Sequence, residues 1–224
     1  HSWEGGSLRE MAMSEFFLEP FILAFGITTS VLLIFFSVVR WSRWLRKYEK
    51  FWFRFGGVAI LLGFLSSLLL DGRVVMTLPL WGFALGTLVL FGFSLWDDLF
   101  SLSWRTQIFF QIALGLILFL FNVRILFVTN PFGGVWSFAS EVSLFPVFVV
   151  GLGWLLLVMN ALNWLDGSDG LCGGISFIAL ITIFFLTLKP EVNQPAFAII
   201  AAGASGAVLG FLLFNLPPAR IFAG

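Results

Sequence analysis

Long apolar runs alternate with short polar stretches along the chain. Most runs approach the length of about 20 mostly apolar residues that a membrane-spanning helix needs. They are apolar on all faces, whereas the strands of a membrane barrel alternate apolar and polar positions. The pattern predicts seven spans, at 17–39, 56–71, 77–96, 105–122, 144–164, 172–188 and 196–214. The second run is the shortest, which allows a half-length or tilted helix. The sequence therefore predicts an all-α, polytopic integral membrane bundle.

Composition agrees with a membrane protein and excludes several other classes. Of the 224 residues, 60% are hydrophobic and 11% are charged, whereas an average soluble domain carries about 25% charged residues. Twelve basic and twelve acidic residues give no net charge, so nucleic acid, which requires a basic surface, is not an expected partner. The lone Cys172 and the lone His1 exclude an internal disulfide and Ser-His-Asp, Cys-His or His-rich metal chemistry within this chain.

A polar segment, residues 1–15, precedes the first apolar run. It does not begin with Met, and Met11 or Met13 would be a natural start, so we interpret it as non-native vector sequence or as an upstream extension of the reading frame. It is not a signal peptide, because the apolar run begins near Phe16 and continues without a small-residue cleavage site. The predicted membrane domain is 16–224.

Basic residues predict the orientation. Half of them lie in the first connection, at Arg40, Arg43, Arg46, Lys47, Lys50 and Arg54. Loops rich in Lys and Arg stay cytoplasmic, and counting spans then places 97–104, 165–171 and 215–224 on the cytoplasmic side. The N-terminus and 123–143 face outside. Acidic residues predicted on the outer side, among them Glu19 and Asp71, are interpreted as solvated surface.

Four aspartates lie on the predicted cytoplasmic side: Asp97 and Asp98 in SLWDDLF, and Asp166 and Asp169 in NALNWLDGSDGL. A charge at the bilayer centre costs about 2.5–3.5 kcal/mol, so we expect these side chains at helix ends. Adjacent carboxylates repel each other unless a cation relieves them, and Mg²⁺ is commonly held by one or two carboxylates together with substrate phosphates. The pattern indicates phosphate chemistry on a lipid, with plain helix-end polarity as the alternative.

Two amides precede the second acidic motif. Asn160 and Asn163 are one helical turn apart just before Asp166, so we expect them on one face of the helix end. Their amides are suited to orienting a carboxylate or a polar ligand. Gly167 and Gly170 favour a sharp turn there, open enough for a ligand to approach the backbone.

Taken in order, these motifs resemble the polyprenyl-phosphate N-acetylhexosamine-1-phosphate transferase family (glycosyltransferase 4 type). The resemblance covers about residues 16–224. It rests on Gly56-Gly57, on Asp97-Asp98 with Leu102-Ser103 and Gln111, on Asn130-Pro-Phe-Gly-Gly134, on Asn160-Ala-Leu-Asn163-Trp-Leu-Asp166-Gly-Ser-Asp169-Gly-Leu171, and on Asn215-Leu-Pro-Pro-Ala-Arg-Ile-Phe-Ala-Gly224.

The resemblance implies an activity, a cofactor and partners. A UDP-N-acetylhexosamine would donate its sugar-1-phosphate to undecaprenyl phosphate and release UMP, with Mg²⁺ or alternatively Mn²⁺, in the bacterial cytoplasmic membrane. The product would initiate a lipid-linked cell-envelope glycan, such as lipopolysaccharide. The Asn130–Gly134 loop is similar to the UDP-GlcNAc branch, and the phospho-N-acetylmuramoyl-pentapeptide transferase branch is the alternative. A homodimer is compatible with the resemblance.

The resemblance also implies residue roles. Asp97 would act as base or position the lipid phosphate, and Asp98 would serve the metal or the substrate. Asp166 would be a second metal ligand. Substrate contacts are expected from Asn160, Asn163 and Asp169.

Two departures from the family pattern qualify this expectation. Gln107 stands where the family commonly has Lys. After Gly224 the family continues with a metal-binding Asp and a His-containing loop, so the chain as given is expected to fold but to be inactive. A polytopic transporter, whose coupling acids would lie near mid-membrane, and an inactive assembly subunit are the alternatives from other classes.

Overall fold

The computed structural model describes residues 2–41, 55–100, 102–138 and 144–222, with the backbone alone for 2–16 and Asp98. Most of the basic connection, 42–54, lies outside the described residues. The helices are α1 (Ser2–Trp41), α2 (Gly56–Leu70), α3 (Leu78–Phe100), α4 (Trp104–Leu120), α5 (Phe145–Leu165), α6 (Leu171–Thr187) and α7 (Pro195–Asn215), with strands β1 (Phe127–Thr129) and β2 (Val135–Ser137) between α4 and α5. This confirms the all-α prediction.

Each predicted apolar run coincides with one helix. Among the residues that the structure describes, four stretches are long and apolar enough to cross a membrane: Phe17–Trp41, Leu78–Asp97, Phe145–Leu165 and Pro195–Asn215. The helices α2, α4 and α6 are also apolar but have 15, 17 and 17 residues. At 1.5 Å per residue they are about 22–26 Å long, below the roughly 30 Å of a hydrocarbon core. The structure thus confirms a multi-pass membrane protein, and the count of seven spans stays a prediction.

The chain forms two compact units, and the first comprises His1–Val75 and Leu165–Gly224. Most of α7 is buried in this unit, because its small residues let α1 and α2 approach closely. A Cβ on Gly206 would collide with the carbonyl oxygen of Phe21, and one on Gly210 would lie 3.0 Å from that of Phe25. This is the close packing that Gly206-x-x-x-Gly210 predicts.

Apolar side chains of α1, α2 and α7 make up much of the core of the first unit. One cluster joins Ala24, Phe64, Leu68 and Ala207, and a second joins Leu32, Ala59, Phe211 and Ile221. A third cluster joins Phe184 of α6 to Ala198, Ala201 and Ala202 of α7.

An ion cluster lies in the same unit, where α2 ends. The Nε and Nη2 atoms of Arg73 donate to the two carboxylate oxygens of Asp71 at 2.8 and 2.6 Å, and Nη2 also lies 3.0 Å from a carboxylate oxygen of Glu19. The side chain of Asp71 is only 5% exposed, so its interpretation as solvated surface was wrong. The hydrogen bonds from Arg73 hold the pKa of Asp71 below its usual value, because they favour the charged form.

The second unit comprises Met76–Trp164, with α3, α4, the strand pair and α5. Glycines again set the helix spacing. A Cβ on Gly82 would collide with Phe121, and one on Gly115 would lie 2.7 Å from Leu152. Gly82-x-x-x-Gly86 therefore serves helix packing, as its spacing predicts.

Candidate functional site

The corner between α3 and α4 is built around Asp97. This residue lies in the last turn of α3, and its Oδ1 accepts a hydrogen bond from the backbone N–H of Leu102 at 2.9 Å. Its Oδ2 accepts a hydrogen bond from Nε2 of Gln107 in the first turns of α4, also at 2.9 Å. Ser103 caps α4 by accepting from the N–H of Thr106. Asp97 thus links the end of one helix to the start of the next.

Helix electrostatics explain why a carboxylate suits this corner. A negative charge is unfavourable at the carboxyl end of α3 but favourable at the amino end of α4, where unpaired N–H groups point outward. Asp97 is half-buried and accepts an N–H on each of its two oxygens. Its orientation is therefore fixed within the unit. The adjacent Asp98 lies in the same helix, but its side chain is outside the described residues.

Asn160 lies in α5 and connects that helix to α4. Its Nδ2 donates to Oε1 of Gln111 at 3.1 Å and to the carbonyl oxygen of Leu156 at 2.7 Å. Gln111 is only 9% exposed, so an amide pair here satisfies polar groups that lipid would leave unpaired. Asn163, one turn further along, is exposed. The two asparagines thus differ in environment, with Asn160 engaged between helices and Asn163 open to a ligand.

The second acidic motif forms the turn before α6, in the first unit. Gly170 is the N-cap of α6 with a φ of 72°, a left-handed conformation that glycine adopts without strain. This confirms the sharp turn that the glycines predict. Asp169 is exposed, and its Oδ2 accepts a hydrogen bond from the backbone N–H of Ala219 at 3.0 Å. Asp166, which is half-buried, opens the turn.

Asn215, at the end of α7, joins this turn to the segment that follows α7. Its Oδ1 accepts from the N–H of Gly170 at 3.0 Å, and its Nδ2 donates to the carbonyl oxygen of Ile221 at 2.9 Å. The residue is 6% exposed. Sequence reasoning used Asn215 as a motif residue and assigned it no role. The signal was present, since a polar amide ends an apolar helix directly before Leu-Pro-Pro.

The same segment, residues 216–222, is fixed from its other end. Ile221 is 1% exposed within the core, and the carbonyl oxygen of Phe222 accepts from the N–H of Gly56 at 3.0 Å. A Cβ on Gly56 would collide with that carbonyl oxygen and with the ring of Phe211. The glycine that opens α2 and the Asn that ends α7 therefore hold one rigid segment beside Asp169.

The predicted site residues divide between the two units. Asp97, Asp98, Asn160 and Asn163 belong to the second unit, and Asp166 and Asp169 to the first. Within the units, the structure brings Asp97 to Gln107 and Asp169 to Ala219. Over the described ranges, no three Asp, Glu, His or Cys side chains form a group that could hold a metal ion. Metal binding by Asp98 and Asp166 stays a prediction.

Apolar helices with carboxylates and amides at their ends define a multi-pass membrane protein with polar groups at its helix termini. Comparison with known families identifies which one. The profile of the family described as glycosyl transferase family 4 matches residues 80–224, which include all six predicted site residues. The chain belongs to this family, which confirms the resemblance found in the motifs and leaves the transporter alternative without support.

The names of individual relatives differ in the substrates that they give. A Bacillus subtilis protein described as a probable undecaprenyl-phosphate N-acetylglucosaminyl 1-phosphate transferase is 28% identical over 182 residues, 80% of this chain and 48% of its own. A phospho-N-acetylmuramoyl-pentapeptide-transferase of Synechococcus elongatus is 35% identical over 185 residues, 75% of this chain and 48% of its own. One of Thermosynechococcus vestitus is 42% identical over 97 residues, 43% of this chain and 23% of its own. The chain spans about half the length of the relatives that match most of it.

Proposed function

We propose that the protein transfers N-acetylglucosamine-1-phosphate from UDP-N-acetylglucosamine to undecaprenyl phosphate and releases UMP. The observation that carries this proposal is the family match over 80–224, which includes both acidic motifs. The name of the Bacillus subtilis relative, which aligns with 80% of this chain, supports the GlcNAc donor and the undecaprenyl acceptor. The reaction would take place at the cytoplasmic face of a bacterial inner membrane and initiate a lipid-linked envelope glycan.

The chemistry makes modest covalent demands on the protein. A phosphate oxygen of the lipid attacks the sugar-linked phosphorus of the UDP-sugar, the bond from that phosphorus to the bridging oxygen breaks, and UMP leaves with the electron pair. Catalysis of phosphoryl transfer depends mainly on positioning and on stabilising negative charge. A site composed of fixed carboxylates and amides at helix ends suits that task.

Asp97 is proposed to position the acceptor side of the reaction. The resemblance implies either a base or a positioning group, and the two hydrogen bonds to Asp97 favour positioning, because both oxygens already accept an N–H. Gln107 supplies one of these bonds as a neutral amide. A lysine there would supply a charged donor, so the acceptor site of this protein carries one positive charge less than the family pattern.

Asp98 and Asp166 are proposed to hold Mg²⁺, or alternatively Mn²⁺. Carboxylate oxygens are the ligands that these hard cations prefer, and substrate phosphates commonly complete the coordination. When bound, the ion would neutralise charge on the phosphates during transfer.

The nucleotide-sugar is proposed to contact Asn163 and Asp169, whose side chains are exposed. Asn160, which the resemblance also implies as a substrate contact, already donates to Gln111 and Leu156. We propose that it acts by fixing the position of α5, from which Asn163 reaches the ligand. A homodimer stays a prediction.

A second candidate is phospho-N-acetylmuramoyl-pentapeptide transfer to the same lipid. The observation in its favour is the name of the Synechococcus elongatus relative, which is 35% identical over 75% of this chain. The test supplies the complete gene product with undecaprenyl phosphate, Mg²⁺ and either donor, and measures UMP. Faster release from UDP-N-acetylglucosamine is expected, whereas release only from UDP-N-acetylmuramoyl-pentapeptide would replace the first proposal with the second.

A further inference from the structure

The strand pair between α4 and α5 is a short antiparallel hairpin with a tight tip. Phe127 pairs with Ser137, Val128 with Trp136 and Thr129 with Val135. At the tip, Oδ1 of Asn130 accepts from the N–H of Phe132 at 3.0 Å, and Gly133 and Gly134 have φ values of 113° and 79°. These left-handed conformations suit glycine, so the tip is well defined and holds Phe132 outward.

Within the part of the second unit that the structure describes, 76–100, 102–138 and 144–164, no residue covers this hairpin. All six strand residues are exposed, and the side chains of Phe132, Phe127 and Trp136 are 94%, 62% and 52% exposed. An isolated two-stranded hairpin is at best marginally stable in water. The hairpin therefore needs a contact beyond the unit that carries it.

Both faces of the hairpin carry large apolar side chains. Paired residues of an antiparallel ladder share a face, so Val128 and Trp136 lie on one face, and the other face carries Phe127, Thr129, Val135 and Ser137. A hairpin that packs one face on protein and turns the other to water would alternate apolar and polar residues. Here one face is apolar and the other combines two apolar side chains with the hydroxyls of Thr129 and Ser137, which indicates surroundings that accept apolar side chains on both sides.

The distribution of charged residues around the hairpin is a second, independent observation. The fourteen residues 125–138 contain no Asp, Glu, Lys or Arg. The nearest charge is Arg124 at the base of the hairpin, which is half-buried, with its guanidinium carbon 4.5 Å from the ring centroid of Phe119. An uncharged aromatic segment preceded by an arginine at its base is the composition found where protein meets lipid headgroups.

We propose that the hairpin 127–137 inserts its tip into the interfacial layer of the bilayer and anchors the connected ends of α4 and α5 there. The strands continue directly from α4 and lead toward α5, whose exposed apolar side chains already require lipid around them. Phe132 and Trp136 lie in the headgroup layer, and Arg124 lies level with lipid phosphates. The inference is independent of the proposed enzymatic function.

A second copy of this chain is the main competing partner. Each strand has one free edge, and free edges of apolar strands pair with other strands. Such pairing would bury the backbone along one edge but would leave Phe132, at the tip, outside the ladder. Because the tip is the most exposed part of the hairpin, contact with lipid would cover more of its apolar surface than pairing with a strand of a second copy.

The test places an environment-sensitive fluorophore at the tip. In a Cys172→Ser background, Phe132→Cys is labelled with a nitrobenzoxadiazole dye and reconstituted into vesicles of phosphatidylethanolamine and phosphatidylglycerol at a low protein-to-lipid ratio. Glu191→Cys, in the exposed turn between α6 and α7, is the matched control. Emission wavelength, quenching by nitroxide lipids and quenching by aqueous iodide are measured for both labels.

For Phe132→Cys we expect blue-shifted emission, strong quenching by nitroxides near the headgroups and at least about threefold weaker iodide quenching than for Glu191→Cys. Emission and iodide quenching equal to those of the control would overturn the proposal. So would blue-shifted emission without nitroxide quenching, accompanied by energy transfer between differently labelled copies, because the partner would then be a second chain.

Discussion

At the scale of single residues, the contact between Asp97 and Gln107 allows the effect of the Asp97 charge on catalysis to be measured separately from its effect on packing. The amide of Gln107 donates to Oδ2 of Asp97, but an amide can also rotate to present its oxygen, whereas a lysine can only donate. Replacing Asp97 by Asn should therefore preserve the corner between α3 and α4 in this protein, because Gln107 can accept from the new amide.

We predict that Asp97→Asn changes the free energy of unfolding by no more than about 1 kcal/mol, close to the value of one neutral hydrogen bond. In the complete gene product the same change should lower turnover at least about a hundredfold, as removing one electrostatic contributor does. Thermal unfolding in detergent and UMP release measure the two effects.

The control for the Asp97→Asn prediction is the double variant in which Asp97→Asn is combined with Gln107→Lys. Lysine cannot accept a hydrogen bond from the new amide, so this pair should be less stable than either single variant by about 1–3 kcal/mol. Equal unfolding temperatures for the double variant and Asp97→Asn would show that Gln107 does not hold Asp97 as described. Unchanged turnover in Asp97→Asn would show that Asp97 is only a polar residue at a helix end, without a role in the reaction.

The second prediction at the scale of single residues concerns Asn215. Replacing it by Ala leaves the N–H of Gly170 and the carbonyl oxygen of Ile221 without their side-chain partner. Each unpaired buried group costs about 1–3 kcal/mol, so Asn215→Ala should lower the unfolding temperature markedly. The exposed Asn163, changed to Ala, is the control. Equal unfolding temperatures for the two variants would contradict a structural role for Asn215.

At the scale of helices, glycines on α7 decide how closely α1 approaches. A Cβ on Gly206 would collide with the backbone of Phe21, while one on Gly26 of α1 would meet no atom within 4 Å. Gly206→Ala should therefore destabilise the protein by at least about 1–3 kcal/mol through overpacking. Gly26→Ala should be neutral or stabilising by up to about 1 kcal/mol, because alanine favours helix.

Thermal unfolding of the two variants measures this difference. Since both are glycine-to-alanine changes in a helix, intrinsic helix preference alone would move them in the same direction. Opposite shifts are expected from the packing, and similar shifts for both would mean that α1 and α7 are not packed through Gly206.

Element positions were largely predictable, because apolar runs of about 15–25 residues have few folds available in lipid. The hairpin was not predicted, because six strand residues with exposed side chains leave no burial pattern to detect. Asp71 was misread for a related reason. Its carboxylate pairs with Arg73, two residues further along. Arg73 in turn pairs with Glu19 of α1, a contact between positions far apart in sequence.

The candidate site was predictable in its residue types and less so in its contacts. The paired carboxylates of this chain indicated phosphate chemistry because Mg²⁺ is commonly held by carboxylates together with substrate phosphates. The hydrogen bond from Gln107 to Asp97 joins two helices across a turn, and the bond from the backbone N–H of Gly170 to Asn215 joins positions 45 residues apart. Contacts of this kind depend on packing, which hydrophobic periodicity does not specify.

At the scale of the whole molecule, the proposed reaction requires both acidic motifs on one side of the membrane. In a Cys172→Ser background, Leu99→Cys and Ser168→Cys should both react with a membrane-impermeant reagent from the cytoplasmic side, and Glu191→Cys should react from outside. The positive-inside rule and the order of the helices give this expectation. Labelling of Leu99→Cys and Ser168→Cys from opposite sides would exclude a shared site.

The most direct measurement is UMP release by the complete gene product, supplied with UDP-N-acetylglucosamine, Mg²⁺ and undecaprenyl phosphate. The proposed function predicts UMP release that requires the lipid phosphate, yields one lipid-linked sugar per UMP, and falls at least about a hundredfold in Asp98→Asn. UMP release without the lipid, or full activity in Asp98→Asn, would contradict a phosphosugar transferase that uses this carboxylate.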